Sequence, residues 1–338
     1  MLEAVRAGDA EAFTAVTERY RRQLQVHCYR MLGSVDDAED VVQETMLRAW
    51  RGRLNFEGRS LLRTWLYRIA TNICLNALER APRRLLPSDV SPPVTTATET
   101  SDASAEPPWR PELPWLEPYP DRLLDVAAPT ETEPDAVAIS RETIELAFLA
   151  ALQHLPPKQR AVLVLHDVLG WSAKETATIL ELTTAAVNSA LQRSRSTMRT
   201  QLPAGRHDWV SLTARSNEER SVLETFMKAW EQADAGLLTS LMHEDARWAM
   251  PPAPLWFQGR AAIARMFDLF PIHMRGDFRM VPTRANTQPA AAAYLRLIGE
   301  SDWRLVSIHV LRVERGGIAE VIAFAPSLCR AFRLPPTL

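Results

Sequence analysis

The sequence predicts a multi-domain chain in which two all-α blocks are followed by an α+β cone. Three observations carry that prediction. Capped stretches of helical period fill residues 1–84 and 136–202, and a proline-dense acidic segment, 85–135, separates them. After a Pro203-Ala204-Gly205 hinge, residues 203–338 open with two amphipathic helices and continue in short apolar runs joined by a glycine turn. A chain of 338 residues exceeds one ordinary core. Its 46% apolar and 24% charged content are those of a soluble globular protein. With no apolar run of about 18 residues and no basic-then-apolar leader, a cytoplasmic protein without a membrane span is expected.

The first block begins with Phe13, Val16, Tyr20 and Leu24 at helical spacing. Gly33-Ser34 ends that helix and starts another. Ser34 is the cap, and Asp36, Asp37, Glu39 and Asp40 load the first turn, where the helix dipole favours anions. Val41, Val42, Thr45, Leu47, Ala49 and Trp50 continue it. A loop, Gly52 to Ser60, precedes a third helix, Leu61 to Glu79, with Leu62, Trp65, Leu66, Ile69, Ala70 and Ile73 as its apolar stripe. Its polar side carries Arg63, Tyr67, Arg68, Asn72 and Asn76. Aromatics interleaved with arginines can stack unpaired bases while pairing phosphates. The competing assignment makes Trp65 and Tyr67 core residues.

The net charge of −2 hides a segregation. Residues 85–135 hold 11 acids and 2 bases, whereas the other three segments are each net positive. A near-neutral total therefore does not argue against nucleic acid. Eleven prolines block helix and sheet there, and an extended, partly disordered linker is expected. Trp109, Trp115, Leu116 and Tyr119 do not suit a passive tether; they mark a partner's docking point or a contact with the chain's own domains. Cys28, Cys74 and Cys329 stand far apart in sequence with no CxxC or Cys/His cluster, so neither a metal site nor a disulfide framework is expected.

In the second block Ser172 and Glu175 have capping-box spacing, and Thr183 or Thr184 caps a following helix. A short helix, a tight turn and a second helix with a polar face of Asn188, Ser189, Gln192, Arg193, Arg195 and Arg199 is the helix-turn-helix plan. Asn and Gln suit adenine edges, and Arg suits guanine or phosphate. An ordinary helical hairpin with a solvated face is the alternative.

Beyond the hinge, Val222 to Gln232 and Ala235 to Met242 read as helices. Arg247 to Met250, Ala291 to Leu297, Leu305 to Val313 and Ile318 to Phe324 read as strands, with Gly316-Gly317 as a hairpin turn. Such a cone encloses an apolar pocket, for which Trp230, Trp248, Met250, Trp256 and Phe257 are candidate walls. His243 with Asp234, Glu244 or Asp245 forms the one clustered acid/base candidate, and no enzymatic role is assigned to it.

DDAEDVVQETMLRAW (Asp36 to Trp50) and FEGRSLLRTWLYRIATNICLNALERAPRR (Phe56 to Arg84) resemble region two of bacterial sigma factors. LPPKQRAVLVLHDVLGWSAKETATIL through AVNSALQRSR (Leu155 to Arg195) resembles region four. With only these two regions, the chain resembles the extracytoplasmic-function group. MKAWEQADAGLLTSLMHEDARWAMPP (Met227 to Pro252), FQGRAAIARMF and RANTQPAAAAYLRL resemble a SnoaL-like domain.

The resemblance implies partners, RNA polymerase core and promoter DNA, and no cofactor. Asp37, Glu39, Asp40, Gln43, Glu44 and Arg48 would face the polymerase clamp. Phe56, Gly58, Arg59 and Ser60 would shape a pocket for a base flipped out of the minus-ten element, and Trp65, Tyr67, Arg68 and Asn72 would hold the separated strand. Thr184, Asn188, Ser189, Gln192, Arg193 and Arg195 would read the minus-thirty-five element. The acidic linker would thread toward the polymerase active site and mimic RNA. The last domain would tune activity, with Trp230, His243, Trp248, Met250 and Trp256 as a ligand pocket. Two departures stand out: Glu181 where a glycine is usual in the turn, and Asn188 and Ala190 where bases are common. A polymerase-independent helix-turn-helix regulator and a ligand sensor remain the alternative functions.

Overall fold

The structure is a computed structural model that describes residues 7–56, 62–95, 109–124, 144–202, 216–269 and 276–338. The chain divides into two compact units, one built from residues 1–84 and 122–210 and the other from 85–121 and 211–338.

In the first unit, α1 (Ala10–Leu32) is capped by Asp9, whose carboxylate accepts from Ala12 N at 2.9 Å, and stops at Gly33 in the left-handed region, φ 71°. Ser34 then caps α2 (Val35–Arg51), accepting from Asp37 N at 3.2 Å. Helix α3 (Leu62–Leu78) closes a three-helix core over Leu24, Met31, Val42, Ala49, Leu66 and Ala70. Cys28 and Cys74, distant in sequence, meet in this core as buried free thiols, and burial pushes the Cys28 thiol up.

The rest of this unit is α4 (Leu146–Gln153), α5 (Pro157–Leu163), a π turn over Val164–Val168, α6 (Ala173–Leu180) and α7 (Thr184–Gln201). The capping box at Ser172 and Glu175 is formed, and Thr183 is the residue that caps α7, accepting from Ala186 N at 3.1 Å. Val162, Ala177, Val187, Ala190 and Leu191 form the core beneath the helix-turn-helix. Helix α3 packs on α5 and α6. Arg160, fully buried, ties the blocks together. Its guanidinium donates to the carbonyls of Met31, Gln153 and Leu155 and to the Gln153 side chain. Burial lowers its pKa to about 10.

The second unit carries α8 (Ser216–Glu231), α9 (Ala235–Ser240), α10 (Arg260–Leu269) and six strands. These are β1 (Met242–Ala249), β2 (Trp256–Gln258), β3 (Gly276–Ala285), β4 (Gln288–Leu297), β5 (Arg304–Glu314) and β6 (Gly317–Phe324). The sheet order is β2-β1-β6-β5-β4-β3, with β1 parallel to β6 and the other pairs antiparallel. The β5–β6 turn falls on Arg315 and Gly316, φ 47° and 73°, one residue before the expected Gly-Gly position. Helix α10 and the edge strands β2 and β3 were not among the predicted elements. One face of the sheet and the helices enclose Phe226, Trp248, Phe257, Met266, Leu311 and Val321.

The linker expectation needs correction. Residues 85–94 and 109–121 form a strap that belongs to the second unit. Leu85 N donates to Pro114 O at 2.8 Å and Leu116 N to Leu85 O at 2.9 Å, so the two legs hold each other. Val94 N donates to Trp256 O at 2.9 Å, and Trp256 Nε1 to Ser91 O at 2.9 Å. Tyr119 pairs with Asn286 through two hydrogen bonds, at 2.7 and 2.8 Å. Trp115, Leu116 and Tyr119 are fully buried, whereas Trp109 is exposed. Among the described residues the prolines limit the strap to a 3-10 turn over Pro87–Asp89 and to isolated bridges. The bridges join Leu85 with Trp115, Val94 with Phe257 and Pro120 with Ala285, and other backbone groups of the strap find partners on the cone. Each large apolar side chain removed from water contributes roughly 1.5–3 kcal/mol, which offsets the ordering entropy.

Candidate nucleic-acid and polymerase interface

Helix α2 buries Val35, Ala38, Val41, Val42, Thr45, Met46 and Ala49 and leaves the intervening positions outside. Asp37, Glu39, Asp40, Gln43 and Arg48 are therefore exposed together and Glu44 is half-buried, all on one face. Three of these charges already have partners: Asp37 accepts from Arg84, and Glu44 accepts from Arg48 at 2.6 Å one turn on. Asp40, Glu39 and Gln43 lie between them. Leu47 and Leu54 add exposed apolar surface beside the acids.

Of the expected base pocket, Gly58, Arg59 and Ser60 lie outside the described residues. Phe56 is buried and stacks on Trp65, centroids 5.0 Å apart and planes 31° apart. On α3 the outcome differs from the expectation of an open aromatic face. Tyr67 is 1% exposed: it sits on the buried side of α3 with Leu66, Ala70, Thr71 and Cys74, against His27 of α1 at 5.1 Å. Trp171 packs on it from the second block, also at 5.1 Å. Arg63 lies over both rings, 5.5 Å from Tyr67 and 5.3 Å from Trp171. Arg68 is exposed yet paired with Glu181, and Asn72 is half-buried. The competing core assignment therefore holds for Tyr67, which the expected polar side had included. The buried stripe runs through Leu66, Tyr67, Ala70, Thr71 and Cys74, because His27 of α1 packs on Tyr67 and pairs with Thr71 at 2.9 Å.

Helix α7 presents Thr184, Asn188, Ser189, Gln192 and Arg193 to solvent, with Val187, Ala190, Leu191, Ser194 and Met198 inward. Ala190 is thus a packing position rather than a missing base. Asn188, Leu191, Gln192, Arg195 and Arg199 line a surface groove of about 310 Å³. Arg195 is clamped by Asp167 through Nε at 2.8 Å and Nη2 at 2.6 Å, and His166 Nδ1 lies 2.7 Å from the same carboxylate. Burial alone would raise the Asp167 carboxyl, but the hydrogen bonds from Arg195 and His166 override it and hold it below the usual range. Asp167 lies in the π turn, and it had not been singled out from the sequence. Glu181 sits in the turn at φ 55°, a left-handed position for a non-glycine residue.

In the second unit, Trp230 and Trp248 do line the cone interior, and Met250 packs against its edge. His243 and Trp256 do not. His243 Nε2 is engaged by the Glu314 carbonyl at 2.7 Å, and Trp256 points its Nε1 at the strap while Phe257, one residue on, faces inward. Glu244 and Asp245 are exposed. The expected acid/base cluster is therefore not assembled inside the cone. The interior instead holds His309, which was missed because it stands between Ile308 and Val310 with no second acid or base beside it in the sequence. Its ring lies 4.9 Å from Trp230 and 5.7 Å from Trp248 and Phe226, and Ser307 Oγ is 2.8 Å from Nε2. Burial lowers the His309 pKa to about 3. His309 Nδ1 and Trp230 Nε1 are both buried without a hydrogen-bond partner. Among the described residues no group of three acids, histidines or cysteines could hold a metal ion, and no helix is long and apolar enough to cross a membrane.

Comparison with known proteins gives three consecutive family matches: Sigma-70 region 2 over residues 16–84, Sigma-70 region 4 over 145–198, and SnoaL-like domain over 223–321. The chain is 44% identical over 336 residues to the ECF RNA polymerase sigma factor SigG of Mycobacterium tuberculosis, covering 98% of this chain and 86% of the relative. It is 31% identical to the ECF RNA polymerase sigma factor SigW of Bacillus subtilis over 60% of this chain and 94% of the relative. Among solved structures, the Mycobacterium tuberculosis extracytoplasmic-function sigma factor SigJ superposes with a TM-score of 0.57 at 20% identity, covering 94% of this chain and 98% of that one. That last likeness is one of fold.

Proposed function

The chain belongs to the extracytoplasmic-function sigma factors of RNA polymerase, and from that premise we propose which of its surfaces do the work. A sigma factor binds core polymerase and promoter DNA and starts transcription; it is a regulator rather than an enzyme. The acidic and polar face of α2, centred on Asp40, docks the core. The Tyr67–Asn72 side of α3, with Phe56 and Trp65, holds the separated minus-ten strand. Helix α7 reads the minus-thirty-five element in the major groove through Asn188, Gln192 and Arg193. Arg195, already clamped by Asp167, orients α7 and contributes less to DNA than its position suggests. Its site of action is the polymerase, in the cytoplasm.

The observation that supports this best is the simultaneous exposure of Asn188, Ser189, Gln192 and Arg193 on a capped recognition helix. Transcription reconstituted with core polymerase on promoters altered one base pair at a time tests it. Arg193→Ala should cost about 1–3 kcal/mol of discrimination at one position if it is bidentate to guanine. A uniform loss across all sequences would make Arg193 a phosphate contact instead.

For the SnoaL-like domain a regulatory role fits better than catalysis, because His243 is taken up by Glu314 and its neighbouring acids face solvent. The domain holds the strap, so it controls the segment that would otherwise thread toward the polymerase active site. The unpartnered Trp230 and His309 nitrogens favour one further reading, a sensor that admits a small molecule accepting a hydrogen bond from the indole.

A further inference from the structure

We propose that region 4 holds region 2 shut by standing in for DNA, with Glu181 in the place of a phosphate on Arg68 and Trp171 in the place of a base on Tyr67. The proposal rests on the assignment of Tyr67 and Arg68 to the minus-ten strand made above.

Single-stranded DNA offers a protein two things at each step, an anionic phosphate and a flat base. Both have a counterpart here within one short stretch of the helix-turn-helix. The Glu181 carboxylate is paired with the Arg68 guanidinium across 113 residues of sequence. The Trp171 indole packs on the Tyr67 ring at 5.1 Å, and the Arg63 guanidinium lies over both rings. Tyr67 is buried between His27 of α1 on one side and Trp171 on the other, so no base can stack on it while Trp171 occupies that second side.

Backbone geometry at Glu181 points the same way. It closes α6 at φ 55°, a conformation that glycine or asparagine adopts with little penalty and glutamate does not. Turn geometry alone gives no reason for a glutamate there; its pairing with Arg68 does. The closed form is also incompatible with promoter binding. Promoter elements some 25 base pairs apart lie roughly 85 Å apart at 3.4 Å per base pair. A unit in which α3 touches α6 cannot reach both. Opening must precede or accompany engagement, and the apparent affinity for the single strand falls by the fraction of molecules that are open.

The ion pair of the latch is the part solvent can loosen. Arg68 and Glu181 keep 46% and 67% side-chain exposure, so solvent screens their pair. Arg160 loses its Met31 acceptor on opening but keeps Gln153 and Leu155.

The test uses the full-length chain with donor and acceptor dyes on Glu79→Cys and Ser196→Cys; both positions are exposed, whereas the native cysteines are buried. Glu181→Gln and Glu181→Lys should lengthen the dye separation. They should also tighten binding of a labelled single-stranded oligonucleotide carrying the non-template minus-ten strand of a mapped promoter, roughly two- to fivefold for Gln and more for Lys. An unchanged separation in both variants overturns the latch. A longer separation with no gain in strand binding overturns the mimicry, and with it the assignment of Tyr67 and Arg68. Arg68→Ala in the polymerase complex reads that assignment separately, through loss of promoter opening.

Discussion

Two histidines are buried in the neutral form, His27 in the first unit and His309 in the second, and burial lowers each to a pKa of about 3. For His27 the neighbouring Arg30 charge adds to the effect. Unfolded chain would protonate each near 6.5, so between those values the unfolded state binds more protons. Stability is therefore complete above about pH 6.5 and is lost as pH falls toward 3, by about 1.4 kcal/mol per pH unit per histidine. His309→Gln should flatten this slope in urea titrations of the second unit followed by tryptophan fluorescence; an unchanged slope would mean that His309 is not buried neutral. Arg160 is the other residue with a large predicted effect. It spans both helical modules, and Arg160→Ala should cost about 3 kcal/mol or more in the first unit, since charged hydrogen bonds and several carbonyl partners are lost together. A midpoint equal to wild type would show that the carbonyls find water instead. Caps were legible in the sequence because a cap is a local rule: Ser34, Ser172 with Glu175, and Thr183 all serve as such. His309 was not legible, because alternation fixes which face a strand residue takes but not what surrounds it.

At the scale of elements, the helices were readable wherever a stop signal adjoined a periodic stripe. The strand β3 was not, since FRMVPTRA alternates weakly and carries Pro282 on a sheet edge, where the missing donor costs nothing. The strap shows the opposite failure. Its prolines leave only a short 3-10 turn and isolated bridges, yet its chain is ordered by side chains and by hydrogen bonds to a domain more than a hundred residues later. The out-of-place Trp115, Leu116 and Tyr119 were the available signal. Trp115→Ala should cost the second unit about 3–5 kcal/mol, measured by chemical denaturation. A change below about 0.5 kcal/mol would mean the strap is only resting on the cone.

For the molecule as a whole, the order of modules was legible from the sequence, because each carries its own motif. How the modules meet was not. The covering of Tyr67 by Trp171 and the transfer of residues 85–121 to the second unit both depend on contacts between distant segments. On the proposed regulatory role, the SnoaL-like domain would act on initiation by sequestering the strap. Freeing it with Trp115→Ala should alter transcript yield at fixed polymerase concentration, and equal yields would detach that domain from control of the linker.

The central claim is that the Asp40 face of α2 is what joins this chain to core polymerase. The most direct measurement is the affinity of purified Asp40→Lys/Glu44→Lys protein for core, alongside its thermal unfolding. Both side chains lie on the outer face of α2, so the fold should survive while core affinity drops at least about tenfold, equivalent to 1.4 kcal/mol. A folded double variant that binds core as tightly as wild type would contradict it.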